Sequence, residues 1–237
     1  MNRVTQHTGS KYPIIQAPMG WIARSQLASA VCNAGGFGVI ETSSGEVDNC
    51  KAEIEKMSEL TDQPFGVNLP LLFLRDESMV EFCVQHGVKF VTTSAGDPSK
   101  YIDILKYAGI TVYHAVPSVK GALKAANCGV DGLVVEGTEG GGFKSPEEVG
   151  LFVLIQAIRK EIDLPIIAAG GIADGFIAKR SLPGTNHLQG VLRNGVGDQR
   201  GSPRGFLGGR AVGDQRGGKF PVGRLPGPCS RTGCCRP

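Results

Sequence analysis

The groups in this chain that could do chemistry sit at the ends of short apolar runs. The run Asp131–Glu136 leads into Glu136-Gly137-Thr138-Glu139-Gly140-Gly141-Gly142-Phe143-Lys144, where glycines let the backbone approach a ligand and offer it N–H groups. A mobile surface loop would have the same composition. The run Pro165–Ala169 ends in Gly170-Gly171, a sign of a phosphate-bearing cofactor held by backbone amides. Asn68 lies in the apolar segment Gly66-Val67-Asn68-Leu69-Pro70, and a buried amide needs partners; a ligand edge or a neighbouring loop backbone could supply them. Thr92-Thr93-Ser94-Ala95-Gly96 could line a ligand through Ser94 or cap the helix starting at Pro98. Ala17-Pro18-Met19-Gly20 is a tight bend in which Met19 serves as core or as ligand contact. His114 is a lone histidine in a strand, more often structural than catalytic, and is a weak catalytic candidate.

These residues need a frame, and a repeat supplies it. Gly87-Val88, Gly109-Ile110 and Gly129-Val130 each open a β-rich run, at a spacing that fits strand, short helix and two tight loops. Each glycine falls where a helix ends, the usual site of a left-handed cap. Extending the pattern predicts seven strands: Tyr12–Ala17, Phe37–Glu41, Pro64–Leu69, Val88–Thr93, Ile110–Val116, Asp131–Glu136 and Pro165–Ala169. They are apolar without strict alternation, as strands covered on both faces are. Asp97-Pro98 and Ser145-Pro146-Glu147-Glu148 read as helix starts, and Val149, Phe152, Val153 and Ile155 as apolar positions of the helix after the second. Strands alternating with helices imply parallel pairing in a barrel or a doubly wound sheet. The C-terminal strand ends then carry the site.

The 237 residues suffice for one complete (β/α) barrel. No apolar stretch reaches the length of a membrane span, and Met1–Lys11 lacks the apolar core of a signal peptide; the expectation is a cytoplasmic protein. The seven cysteines are expected as reduced thiols, and no metal site is assigned. Net charge is split: residues 1–179 carry 15 Lys+Arg against 20 Asp+Glu, and residues 180–237 carry 10 against 2. The basic balance therefore belongs to the tail.

At about residue 180 lysine gives way to arginine, glutamate disappears, and the hexapeptide VGDQRG occurs twice, at Val196–Gly201 and Val212–Gly217. So few apolar residues cannot offset the entropy of ordering, and disorder is expected over 180–237. A basic nucleic-acid-binding segment, an inert extension and a reading-frame change are the three readings; the frame change fits the abrupt switch in composition best. Nucleic acid is disfavoured because only Phe206 and Phe220 interleave with the arginines.

Five motifs, in this order, resemble the FMN-dependent nitronate monooxygenase family (the 2-nitropropane dioxygenase-like proteins): YPIIQAPMGWIA at Tyr12–Ala23, NAGGFGVIETSSG at Asn33–Gly45, PFGVNL at Pro64–Leu69, GVDGLVVEGTEGGGF at Gly129–Phe143 and LPIIAAGGIADG at Leu164–Gly175. FMN-dependent enoyl-acyl carrier protein reductases share much of the set. The resemblance implies a TIM-type (β/α)8 barrel, incomplete here with seven strands recognisable, that binds FMN and oxidises alkyl nitronates with dioxygen to a carbonyl compound and nitrite. It places Ala17, Pro18 and Met19 near the flavin ring, Asn68 on its polar edge, Gly141 and Gly142 after strand six, and Gly170 and Gly171 at the phosphate. Family members often carry a histidine where Phe143 stands. A nitronate is already an anion and needs no base for its oxidation, whereas a neutral nitroalkane does. The family's eighth strand has no recognisable counterpart; His187–Asn194 is the nearest remnant, so strands one and seven are expected as open edges. The alternatives are an NAD(P)H-dependent enoyl reductase and a non-catalytic barrel fragment with an RNA-binding tail.

Overall fold

A computed structural model describes residues 2–142, 146–172 and 190–193. Phe143, Lys144 and Ser145 lie outside the described residues, as does the tail after residue 179 except Gly190–Arg193, so the expected disorder there and the boundary at residue 179 fall outside them too. One compact unit spans Met1–Arg200; a second, Gly201–Pro237, is wholly undescribed.

The predicted alternation is present. In chain order the elements are α1 (Arg3–Thr8), β1 (Ile14–Gln16), α2 (Ser25–Asn33), β2 (Val39–Ile40), α3 (Val47–Glu55), α4 (Met57–Leu60), β3 (Gly66–Pro70), α5 (Ser78–Gln85), β4 (Phe90–Ser94), α6 (Ile102–Tyr107), β5 (Thr111–Val116), α7 (Val119–Asn127), β6 (Gly132–Glu136), α8 (Leu151–Glu161), β7 (Ile166–Ala169) and β8 (Gly190–Arg193). Gly87, Gly109 and Gly129 take the left-handed conformation just after α5, α6 and α7, with φ of +67°, +71° and +85°.

All sheet pairs are parallel, in the order β1-β8-β7-β6-β5-β4-β3-β2. The expectation of open edges on strands one and seven is corrected: β8 lies between them, pairing Val191 with both Ile14 and Ala168. It falls inside the remnant His187–Asn194. A ladder needs backbone N–H and C=O groups, not a motif, so four residues without family signature can occupy the gap. The seam between β1 and β2 is thin. A single bridge, Ile15 to Phe37, joins them, and the Gln16 side chain extends it by bonding the Val39 carbonyl at 3.1 Å and the Val39 N–H at 3.3 Å.

Two apolar layers hold the barrel. The outer one packs α2–α8 against the outward side chains of the strands; the inner one fills the barrel around Ile15, Phe37, Phe90, Tyr113, Val134 and Ile167. α1 closes the N-terminal end of the barrel: Val4 is fully buried in the inner layer, and Arg3 pairs with Asp163 at 2.8 Å. Cys32, Cys50 and Cys83 are buried free thiols. Among the described residues no helix is long and apolar enough to cross a membrane.

The helix after β6 starts later than expected. α8 begins at Leu151, and the Glu139 carboxylate, reaching over from the glycine-rich loop, accepts its N–H at 3.0 Å. Its buried face is Leu151, Leu154, Ile155 and Ile158, while Phe152 and Val153 are exposed. Phe152 and Val153 thus lie on the face away from the core.

Candidate active site

Side chains alternate along a strand, so one set on each of β1–β7 faces the barrel interior. The inner layer identifies it: Phe90 on β4, Tyr113 on β5, Val134 on β6 and Ile167 on β7 face inward, while Val91, Val112, Leu133 and Ile166 pack under the helices. Toward the C-terminal strand ends the inward positions are Asn68 on β3, Thr92 and Ser94 on β4, Ala115 on β5, Glu136 on β6 and Ala169 on β7. These, with Ala17 after β1, form the mouth of the barrel.

The lower half of the interior is full. The rings of Phe37 and Phe90 meet edge to face with centroids 5.0 Å apart, and Phe90 and Tyr113 lie 4.9 Å apart. A Cβ on Gly132 would sit 2.3 Å from the Tyr113 ring, so this glycine makes room for the tyrosine. The Tyr113 hydroxyl reaches the Nδ1 atom of His7 on α1 at 3.0 Å.

At the mouth the side chains are small or polar. The Asn68 Oδ1 atom accepts from the Thr92 hydroxyl at 3.0 Å and from the Ser94 hydroxyl at 3.4 Å, and the Thr42 hydroxyl holds the Asn68 backbone carbonyl at 2.7 Å. Two hydroxyls on the carbonyl end leave the NH2 end of the amide as the group a ligand can use. The partners of the Asn68 carbonyl end are side-chain hydroxyls of the neighbouring strand β4, not the loop backbone that the sequence left open. Ser94 faces the interior with Asn68, while Asp97 rather than Ser94 caps the turn at Pro98, accepting the Ser99 N–H at 3.0 Å.

The loop after β1 presents buried Ala17 and half-buried Pro18 and Met19 at the same end of the barrel. Of the glycines after β6, Gly137 and Gly140 are buried against protein, while Gly141 and Gly142 are exposed. The Gly142 N–H donates to Glu136 Oε1 at 2.8 Å, and the Gly137 N–H to the Ala169 carbonyl at 3.0 Å. A Cβ on Gly140 would lie 2.3 Å from Glu136 Oε1, and one on Gly170 2.9 Å from the Gly140 nitrogen. Gly170 and Gly171 both have positive φ, +112° and +68°. Much of the glycine content therefore lets the loops after β6 and β7 pass close together, and the Gly142 amide is already engaged.

The fold turns His114 away from the barrel mouth. It lies on the helix-facing side of β5 with Val112 and Val116, buried, with Nδ1 2.8 Å from the Thr93 hydroxyl. Burial lowers its pKa to about 4, offset in part by Asp97, and Lys124 lowers it further.

Sequence reading missed Glu41 and Arg24. Glu41, fully buried just past β2, accepts from the Trp21 N–H at 3.1 Å, the Ser43 N–H at 2.7 Å and the Ser43 hydroxyl at 2.8 Å, and pairs with Arg24 at 3.0 Å. Burial acts against the Arg24 charge, but Glu41 and Cys50 outweigh it and its pKa is raised. The signal available was an acid closing the apolar run Phe37–Glu41, where a charge has to be matched.

The nitronate monooxygenase family model matches residues 2–81 and 71–178. A (3aS,4S,5R,7aS)-5-hydroxy-7a-methyl-1-oxo-octahydro-1H-indene-4-carboxyl-CoA dehydrogenase of Mycobacterium tuberculosis is 34% identical, over 73% of this chain and 49% of its own length. A nitronate monooxygenase of Paraburkholderia phytofirmans is 30% identical, over 70% of this chain and 58% of its own. The solved structure of FabK from Thermotoga maritima superposes with a TM-score of 0.74 at 35% identity, covering 82% of this chain and 61% of that one. The chain thus spans about half to three fifths of the length of the proteins it matches. With the motifs in order on a parallel barrel and the family match running from residue 2 to residue 178, the chain belongs to the nitronate monooxygenase family.

Proposed function

We propose that this chain is the barrel portion of a flavin-dependent oxidoreductase that holds FMN at the barrel mouth and oxidises alkyl nitronates with dioxygen to a carbonyl compound and nitrite. The observation that carries this reading is the oriented Asn68 amide, its carbonyl end tied to Thr92 and Ser94 and its NH2 end left for a ligand, in a mouth whose other inward positions include Ala115 and Ala169. A planar ring with polar edges fits that arrangement. Asn68 would bond the ring edge, Ala17, Pro18 and Met19 would flank it, and Gly170 and Gly171 would approach the phosphate. The flavin, when bound, supplies the electron-accepting chemistry. The protein supplies the hydrogen bond, a dry floor made of Phe37, Phe90 and Tyr113, and access from the mouth.

The test is to add FMN to the full chain, record the shift of the flavin absorption bands, and assay nitrite release from a nitronate. A folded chain that leaves the flavin spectrum unchanged sinks the cofactor assignment; flavin binding without nitrite sinks the substrate.

A second reading takes the dehydrogenation of a bulky carboxyl-CoA thioester as the reaction. The relative named for such a substrate supports it, as do the apolar side chains exposed on the loops after β1 and β3: Trp21, Ile22, Leu72 and Phe73. Reduction of an artificial electron acceptor by a fused-ring carboxyl-CoA thioester, without nitrite from nitronates, would favour it. An enoyl reductase rests on the same barrel, and nothing in the mouth prefers it.

A further inference from the structure

We propose that Glu41 is a positioning residue that sets the conformation of the loop after β1 and, through it, the affinity of the mouth for a flavin ring; the second half of this statement rests on the function proposed above. The loop's internal bonds are local turns: the Met19 N–H to the Ala17 carbonyl at 2.9 Å, and the Ile22 and Ala23 N–H groups to the Met19 carbonyl at 3.1 and 2.8 Å. At its tip Trp21 has φ +58°, a left-handed conformation that a bulky residue adopts at a cost, and the residue is 67% exposed, so packing does little to hold it. Glu41 makes up for this. Its Oε1 atom accepts the Trp21 N–H at 3.1 Å and pairs with the Arg24 guanidinium at 3.0 Å, fixing the tip and the end of the loop after β1. Its Oε2 atom accepts the Ser43 N–H, the Ser43 hydroxyl and the Ser44 N–H at 2.7, 2.8 and 3.1 Å, fixing the loop after β2. The Glu41 N–H itself donates to the Ala23 carbonyl at 3.0 Å.

One fully buried carboxylate thus clamps two loops, one oxygen to each. Every group it meets is a donor, so both of its ends must accept. This separates a carboxylate from its isosteric amide. A glutamine at this position turns an NH2 group toward one set of donors, and one of the two loops is released. An aspartate keeps two acceptors on a shorter stem.

Trp21 is the sole tryptophan of the chain, so its fluorescence reports this loop and nothing else. Time-resolved anisotropy of the full chain without flavin is expected to show a larger fast component in Glu41→Gln than in the unaltered protein, with Glu41→Asp between them. Flavin titration is expected to give about tenfold weaker FMN affinity for Glu41→Gln. Far-UV circular dichroism establishes that the variants are folded. Unchanged Trp21 motion in both folded Glu41→Gln and folded Glu41→Leu, the second with no acceptor for either loop, overturns the proposal, and freed Trp21 with undiminished FMN affinity overturns the link to the cofactor. Freed Trp21 in a chain that binds no FMN in any form supports the clamp and sinks the flavin reading instead. If Glu41→Gln does not fold, hydrogen exchange in the unaltered chain decides. The Trp21 amide, on an exposed residue, is expected to exchange at least about tenfold more slowly than the unfolded chain, and exchange at the unfolded rate overturns the clamp.

Discussion

The two ends of the barrel interior are built on opposite rules. The N-terminal end is filled by three aromatic rings, a glycine that makes room for one of them, and a helix that seals it from below. The C-terminal end is lined by alanines and by hydrogen-bonding groups that satisfy one another at one end and leave the other open. Ring packing holds the one end, and small and hydrogen-bonded side chains line the other. The same strands serve both, because successive inward positions lie two residues apart: Phe90 packs and Thr92 bonds, Tyr113 packs and Ala115 leaves space.

This division can be broken by substitution. Phe90→Ala removes the ring that contacts both Phe37 and Tyr113, and is expected to cost about 3–5 kcal/mol in urea unfolding. A loss below about 1 kcal/mol would mean that the floor is not where the barrel is held together. His114 tests the layer outside the interior. Its folded pKa of about 4 lies below the unfolded value of about 6.5, so above that value both states are neutral and stability is full. As pH falls toward 4 the unfolded chain takes up the proton first, and the loss is expected to reach at most about 3 kcal/mol. His114→Gln should flatten unfolding free energy against pH in that window; an unchanged slope would assign it to other groups.

Gly132→Ala forces a methyl into the Tyr113 ring, with an expected cost of about 1–3 kcal/mol from displaced packing. Unaltered thermal unfolding of this variant would contradict the close approach. Ala115→Leu sharpens the contrast from the other side. At a half-buried inward position near the mouth it is expected to change stability by less than about 1 kcal/mol, yet to weaken FMN binding at least about a hundredfold by occupying the room for the ring. Isothermal titration with FMN measures this, and undiminished affinity would remove Ala115 from the site.

Much of this architecture was legible beforehand. The spacing of Gly87, Gly109 and Gly129 marked the helix ends, because a left-handed cap favours glycine regardless of what surrounds it. Seven strand segments were visible from apolar runs, since burial on both faces leaves a local compositional trace. Other features left little trace. The second strand is two residues long, so its ladder offers little pattern, and Gln16 closes the seam from a different strand. The start of α8 was misplaced because its cap, Glu139, lies twelve positions before Leu151, outside the window in which a capping box is recognised. β8 had no motif to find, because a parallel ladder takes any backbone that reaches it.

By itself the sequence determined the alternation of strand and helix, the parallel class, the family motifs and the position of the mouth at the strand ends. Those properties depend on local periodicity, glycine conformation and chain order. Only the tertiary structure decided which face each polar residue takes: Asn68 and Ser94 inward and together, His114 outward against the helices, and Gly142 bound to Glu136. A shift of one residue along a strand turns a side chain from one face to the other, and short apolar runs do not fix that choice. The same holds for Glu41, whose partners Trp21 and Arg24 come from a different loop. A buried carboxylate is defined by the donors around it, and the fold alone brings those donors together.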